Sequence, residues 1–130
     1  MEIIEKKVLN FCNKTILIVE DDMYNTEYIK EILTNTGCKT IFVEYGNDAV
    51  EVSLNQNIDL VLVDINLPDI SGDQAMRTIK QYKPLLKFIV LTAYADDNNI
   101  KKAFSSGCTE FITKPYKSDY LLTMINKHLS

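Results

Sequence analysis

Five short apolar runs, each followed by a helical pattern, limit this chain to very few folds. The runs are rich in β-branched residues, and several lack the alternation of a half-exposed strand, as expected for strands that are covered on both faces. They lie at residues 16–19, 41–43, 60–63, 88–91 and 111–112. Strict alternation of strands and helices predicts an α/β fold, in which a five-stranded parallel sheet is doubly wound by helices on both faces.

The segments between these runs carry apolar residues at helical spacing, which predicts five helices. Gly37 and Gly107 stand where a left-handed residue commonly ends a helix. Asp22 is interpreted as the N-cap of the first helix, because its side chain can accept a hydrogen bond from a free backbone N–H. N-caps of three later helices are predicted at Asn47, Ser71 and Ser118.

The chain of 130 residues is predicted to form one domain. With 46% hydrophobic and 25% charged residues, it can bury roughly two thirds of the surface of its unfolded state. It contains no internal repeat, low-complexity tract or Pro/Gly-rich linker. Residues 14–130 are assigned to this domain and residues 1–13 to an N-terminal extension or linker. A frayed tail is favoured there over a short helix with Ile4, Val8 and Phe11 on one face.

Charge and cysteine content argue against several classes of function. The chain has 14 Lys plus Arg against 18 Asp plus Glu, and no basic run exceeds a pair, so direct binding to nucleic acid is not expected. Cys12, Cys38 and Cys108 show no C-x-x-C spacing, which disfavours a disulfide framework and a zinc site. Without a long apolar stretch or a signal peptide, we expect a cytoplasmic location and no membrane insertion by this segment.

Ionisable side chains gather where the predicted strands end. The first run leads into Glu20 and Asp21, the third into Asp64, and Thr92 and Lys114 follow the fourth and fifth. Because ligands of open parallel sheets bind outside the carboxyl ends of the strands, these groups are expected at one edge. Two carboxylates about 5 Å apart repel by roughly 3 kcal/mol at an effective dielectric constant near 20, so the cluster requires a cation, a proton or open water.

Each of these residues also has a purely structural interpretation. Glu20 and Asp21 can be solvated turn residues, Thr92 a capping hydroxyl and Lys114 a surface lysine. Asp64 is harder to explain in this way, because it directly follows a strand that is predicted to be buried. Together the groups offer oxygen ligands, a hydroxyl and an ammonium, which suit Mg²⁺ and a phosphate or phosphorylated residue.

Four motifs give the chain a resemblance to the receiver domains of two-component response regulators. The motifs are ILIVEDD, LVLVDINLPDISG, VLTA and ITKPY, in the order and approximate spacing of that family. The resemblance covers residues 14–130. It implies a flavodoxin-like (βα)5 fold with the strand order 2-1-3-4-5 that is known for chemotaxis regulators of this superfamily.

The resemblance also implies roles for the residues at the strand ends. Asp64 corresponds to the phosphoacceptor, and Glu20 and Asp21 to the acidic pair that holds Mg²⁺, with Mn²⁺ as an alternative ion. The backbone carbonyl of Asn66 corresponds to a further metal ligand. Lys114 is expected to pair with the phosphoryl group, which needs neutralisation of its oxygens during in-line attack by a carboxylate.

Further roles follow from the same resemblance. Thr92 is expected to bond a phosphoryl oxygen in the activated state, and Phe111 stands at the family's Tyr or Phe switch position. Because Phe cannot form a hydrogen bond when it turns inward, a switch here must depend on packing. Asn66 and Tyr94 occupy the positions that tune the lifetime of the phosphoryl group in relatives. Pro115 is expected to follow Lys114 through a cis peptide bond.

The function implied by the resemblance is that of a receiver in a phosphorelay. A sensor histidine kinase or a histidine phosphotransfer protein is the expected partner and phosphoryl donor. The readout is expected on the fourth helix, fifth strand and fifth helix, roughly residues 97–127, where self-association is an option. Catalysis is limited to self-phosphorylation and autodephosphorylation at Asp64, unless the chain is part of a hybrid histidine kinase. Asn25 and the segments NLPDISG and NFCNK resemble those of receivers fused behind hybrid sensor kinases, which favours a hybrid kinase over a stand-alone regulator.

Three other functions share features with this pattern. A receiver that acts only as an interaction module would lack Asp64, Thr92 or Lys114, and all three are present. A metal-dependent phosphatase with an aspartyl nucleophile usually has a second acid or base where this chain has Asn66. A flavodoxin-like electron carrier must cradle a phosphate in its first loop, and the acidic loop of this chain would repel one.

Overall fold

A parallel five-stranded sheet runs through residues 9–129, the part of the chain that the computed structural model describes. The strand order is β2-β1-β3-β4-β5, and all four neighbouring pairs are parallel. This confirms the predicted α/β fold and its strand order. The strands are β1 (Thr15–Val19), β2 (Lys39–Val43), β3 (Leu60–Val63), β4 (Lys87–Thr92) and β5 (Glu110–Thr113). The helices are α1 (Met23–Leu33), α2 (Gly46–Asn55), α3 (Gly72–Tyr82), α4 (Asp97–Ser105) and α5 (Ser118–Leu129).

Two hydrophobic cores lie on opposite faces of the sheet. Successive residues of a strand point to opposite faces, so Ile18 and Leu62 face one core and Val19 and Val63 the other. Helices α1 and α5 cover the first core, and α2, α3 and α4 cover the second. Strands β1, β3 and β4 are buried on both faces, which explains why their sequences lack alternation.

Several helix ends follow the predicted chemistry. Asp22 caps α1 by accepting a hydrogen bond from the Asn25 N–H at 3.0 Å. Ser71 caps α3 through its hydroxyl oxygen, which accepts from the Gln74 N–H at 3.1 Å. Gly37 and Gly107 have φ angles of 81° and 112°, the left-handed conformation expected after a helix.

Two predicted N-caps are wrong. Helix α2 already begins at Gly46, so Asn47 is its second residue rather than its cap. The physical reason is that the Asp69 carboxylate, from the loop before α3, accepts hydrogen bonds from the first backbone N–H groups of α2. Ser118 is the first residue of α5 rather than the residue that precedes it.

The described part of the predicted N-terminal extension packs on the sheet. Phe11 is only 2% exposed in the core beneath α1 and α5, and its N–H donates to the Thr36 carbonyl at 2.6 Å. The prediction of a frayed tail is therefore wrong at Phe11, because burial of a large aromatic ring outweighs the entropy of a free end. Residues 1–8, which include Ile4 and Val8, lie outside the described residues.

No helix in the described part of the chain is long and apolar enough to span a bilayer.

Candidate functional site

Strands β1 and β3 place two carboxylates side by side at the carboxyl ends of the strands. Val19 pairs with Val63 in the parallel register, and each valine is followed directly by an acid. The Asp64 N–H donates to the Val19 carbonyl at 3.0 Å, and the Glu20 N–H donates to the Val43 carbonyl at 3.0 Å. Because both backbones are held by the hydrogen bonds of the sheet, the two side chains leave it from fixed positions.

Asp21 joins these two acids in a cluster that suits a divalent ion. Glu20, Asp21 and Asp64 each offer one carboxylate oxygen, and these oxygens lie within 4.8 Å of one another. In an octahedral Mg²⁺ site, ligand oxygens are about 3.0 Å apart when adjacent and about 4.2 Å apart when opposite, so the three side chains must move closer together to share one ion. Asp21 is exposed, which leaves room for the water molecules that Mg²⁺ keeps.

Lys114 inserts its ammonium between the two less accessible acids. Its Nζ lies 2.9 Å from Glu20 Oε1 and 3.2 Å from Asp64 Oδ2. The Lys114 N–H donates to the Thr92 carbonyl at 2.8 Å, which extends the pairing of β4 and β5 by one residue past the end of β5. The Lys114–Pro115 peptide bond is cis, as the resemblance implied.

Burial and neighbouring charges shift the pKa values of Glu20 and Lys114. Glu20 is 3% exposed, and desolvation by burial raises its pKa despite the hydrogen bond from Lys114. Burial alone would lower the pKa of Lys114. The hydrogen bond to Glu20 and the charges of Asp64 and Glu20 outweigh this effect, and the pKa of Lys114 is raised. The ammonium is therefore charged throughout the physiological range.

The loop after β3 fixes the orientation of Asp64. Asp64 Oδ1 accepts a hydrogen bond from the Asn66 N–H at 3.0 Å, while Oδ2 faces Lys114. Helix α3 begins directly against this residue, since a Cβ on Gly72 would lie 2.4 Å from the Asp64 carbonyl oxygen. Asp64 is 9% exposed, so little of its surface is in contact with solvent.

Thr92, Tyr94 and Phe111 are the other predicted site residues on β4, β5 and the loop after β4. The buried Thr92 hydroxyl accepts a hydrogen bond from the Tyr94 N–H at 3.1 Å, and the side chain of Tyr94 is exposed. Phe111 is partly buried and packs against the core that α2, α3 and α4 cover. It also lines a shallow groove of about 400 Å³ together with Pro115, Tyr116 and Tyr120.

An aromatic groove beside the acidic cluster was not predicted from the sequence. It has a volume of about 520 Å³ and is lined by Tyr24, Asn25, Tyr28, Ala93, Lys114, Pro115 and Tyr116. The Tyr28 hydroxyl donates to the Tyr116 carbonyl at 3.0 Å, and burial raises the pKa of Tyr116. The spacing of Tyr24 and Tyr28 was the available signal, because residues four apart share one face of a helix.

Comparison with known proteins identifies the family to which the chain belongs. The sequence model of the response regulator receiver domain family matches residues 16–126. The chain is 34% identical to the chemotaxis protein CheY of Bacillus subtilis, over 88% of this chain and 97% of that protein. It is 38% identical to a cyclic di-GMP phosphodiesterase of Thermotoga maritima, but there the match covers only 31% of the relative's length.

Solved structures show the same fold. A CheY-like receiver domain protein from Methanospirillum hungatei superposes with a TM-score of 0.85 at 30% identity, covering 89% of this chain and 93% of that one. The receiver domain of the sensor histidine kinase PA1611 from Pseudomonas aeruginosa gives a TM-score of 0.83 at 28% identity, covering 89% and 97%. That structure has a magnesium ion coordinated in its active site cleft.

Proposed function

Because the chain belongs to the response regulator receiver domain family, we propose that it accepts a phosphoryl group on Asp64 within a two-component phosphorelay. The donor is a phosphohistidine of a sensor histidine kinase or of a histidine phosphotransfer protein. One observation carries this proposal: the Asp64 carboxylate is hydrogen-bonded to the Lys114 ammonium and forms one cluster with Glu20 and Asp21, an acidic pair that can hold a metal ion. A nucleophile, a cation and a metal site thus meet at one point.

The transfer exchanges one bond to phosphorus for another. Asp64 Oδ2, which faces Lys114, attacks the phosphorus atom, and the bond from phosphorus to the histidine nitrogen breaks. The electron pair of that bond returns to the imidazole, which takes up a proton. Lys114 moves from its carboxylate partners to a phosphoryl oxygen, and the Thr92 hydroxyl turns away from the Tyr94 N–H to donate to another.

Mg²⁺ fits the donor set of this site, and Mn²⁺ has a similar preference for oxygen ligands. Glu20, Asp21 and Asp64 would hold the ion together with the backbone carbonyl of Asn66. When bound, the ion neutralises charge on the phosphoryl oxygens. The magnesium ion of the Pseudomonas receiver domain supports this assignment.

The phosphorylated state is read on the surface of α4, β5 and α5. Thr92 and Lys114 close on the phosphoryl group from the ends of β4 and β5, so their movements act on this surface. The partly buried Phe111 can turn further into the core by packing alone. The same surface is proposed for self-association, and Asn66 and Tyr94 are proposed to tune the lifetime of the phosphoryl group.

Mg²⁺ is expected to bind at millimolar concentrations and to perturb the amide NMR signals of Glu20, Asp21 and Asp64. Asp21→Asn should weaken binding, because it removes the negative charge of the most accessible ligand, whereas the same change at the exposed Asp119 should not. Affinity should fall as the pH falls through the raised pKa of Glu20, since the protonated carboxyl cannot ligate the ion. Unchanged signals in millimolar Mg²⁺ would exclude the metal site.

Incubation with a small acyl phosphate and Mg²⁺ is expected to add one phosphoryl group to the protein. Intact-mass measurement should show this addition for the wild type and for Asp119→Asn, but not for Asp64→Asn, which lacks the nucleophilic oxygen. The adduct should be labile to base, as an acyl phosphate is. Labelling that persists in Asp64→Asn would place the nucleophile elsewhere.

A further inference from the structure

Two adjacent residues of the loop between β3 and α3 contact the start of α2. The Asp69 carboxylate accepts hydrogen bonds from the Gly46 N–H at 2.7 Å and from the Asn47 N–H at 2.8 Å. Ile70 packs on the same glycine, since a Cβ on Gly46 would lie 2.5 Å from Ile70 Cγ1. A polar contact and an apolar contact therefore join this loop to one point of α2.

The carboxylate of Asp69 replaces a local cap of α2. Tyr45, which precedes the helix, makes no side-chain capping bond. Desolvation raises the pKa of Asp69, but the hydrogen bonds from the Asn47 and Gly46 N–H groups outweigh it, and the pKa is lowered. A carboxylate at a helix N-terminus is also favoured by the helix dipole. Asp69 thus remains ionised, and the contact persists, at neutral pH.

These contacts hold the middle of a loop whose two ends are fixed by local hydrogen bonds. At one end the Asn66 N–H donates to Asp64 Oδ1, and at the other the Gly72 N–H donates to the Ile65 carbonyl at 2.8 Å. Asn66 itself is exposed. The orientation of its carbonyl therefore depends on how firmly the loop between these two ends is held.

Helix α2, which the loop contacts, is itself connected through β2 to the backbone of Glu20. Helix α2 follows β2, and the Val43 carbonyl of β2 accepts the N–H of Glu20 at 3.0 Å. We infer that Asp69 and Ile70 are positioning residues, which hold the loop against α2 so that the Asn66 carbonyl meets the metal ion bound by the acidic cluster at Glu20, Asp21 and Asp64. This inference rests on the proposed function, because the role of Asn66 as a ligand belongs to it.

The test compares Mg²⁺ affinities of the whole chain. Asp69→Ala removes both hydrogen bonds, and Ile70→Ala removes the packing without a change of charge. Asp96→Ala is the matched control, because it removes a carboxylate that caps a different helix, α4, by accepting a hydrogen bond from the Asn99 N–H. We expect the dissociation constant for Mg²⁺ to rise about threefold to tenfold in both loop variants and to stay within about twofold in the control.

Thermal unfolding separates a positioning role from a purely structural one. Asp69→Ala and Asp96→Ala should lower the melting temperature by similar amounts, since each loses one helix cap. If both loop variants lose stability but bind Mg²⁺ as the wild type does, the inference is overturned and the metal site stands. If the wild type itself binds no Mg²⁺, the proposed metal site fails, and the inference fails with it.

Discussion

Lys114→Met is expected to lower the free energy of unfolding of the metal-free protein by about 2 to 4 kcal/mol at neutral pH. The side chains of Glu20 and Asp64 are only 2% and 11% exposed, and the Lys114 ammonium is hydrogen-bonded to both. Methionine fills a similar volume but leaves two nearly buried carboxylates without a cation. Urea denaturation in the presence of a chelator measures this loss.

The same substitution should have the opposite effect on metal binding. Without the competing ammonium, Mg²⁺ becomes the cation that relieves the repulsion, and its affinity should rise about tenfold. Lys117→Met is the control, because Lys117 is exposed in the same segment after β5. Stability within about 0.5 kcal/mol of the wild type in Lys114→Met would show that the ion pairs do not hold the site together.

Asp73→Leu is expected to raise the free energy of unfolding by about 1 to 3 kcal/mol at pH 7. Asp73 is 1% exposed in the first turn of α3, and among the described residues neither carboxylate oxygen has a hydrogen-bond partner. The Lys102 Nζ, at 3.9 Å, is too distant for a hydrogen bond, and the side chain of Lys102 is 58% exposed. The helix dipole offsets only part of the cost of this buried charge.

The pH dependence provides a second readout of Asp73. Desolvation raises its pKa in the folded state, although the charges of Lys102 and Arg77 oppose the shift. Its contribution to stability is therefore fully present below the unfolded pKa and is lost as the pH rises through the folded pKa. The advantage of Asp73→Leu over the wild type should shrink as the pH falls through this window.

Two further variants separate charge from packing at this position. Asp73→Asn keeps the shape of the side chain and should abolish the same pH dependence. Glu51→Leu removes an exposed carboxylate from the middle of α2 and should leave stability within about 0.5 kcal/mol of the wild type. If Asp73→Leu destabilises the protein at pH 7 and the pH dependence of Asp73→Asn equals that of the wild type, Asp73 is not a buried charge.

The central strands could be predicted from local composition, because β1, β3 and β4 are buried on both faces and are therefore almost continuously apolar. The four residues of β3 are all apolar, and the predicted strand has the same bounds as the observed one. The meeting of Glu20, Asp64 and Lys114 was also predictable. It follows from one rule of topology, that the carboxyl ends of parallel strands lie at the same edge.

Features that depend on residues distant along the chain could not be predicted from the sequence. The start of α2 was misplaced because its capping carboxylate, Asp69, lies 22 residues from Asn47 along the chain. Asp73 resembles an ordinary acidic residue of a first helical turn, and nothing in its local sequence indicates that it is buried. Phe11 was assigned to a tail because its apolar neighbours belong to α1 and α5, far away in the sequence.

Locating the phosphoryl group in the sequence tests the assignment of Asp64 as the phosphoacceptor. Borohydride reduces the acyl phosphate of an aspartate to the alcohol of homoserine, and tandem mass spectrometry of the digested protein locates that residue. After incubation with an acyl phosphate and Mg²⁺, we expect homoserine at position 64 and unmodified aspartate at position 21. Homoserine at another position, or a phosphate that survives borohydride on a serine, threonine or tyrosine, would contradict the proposed phosphoacceptor.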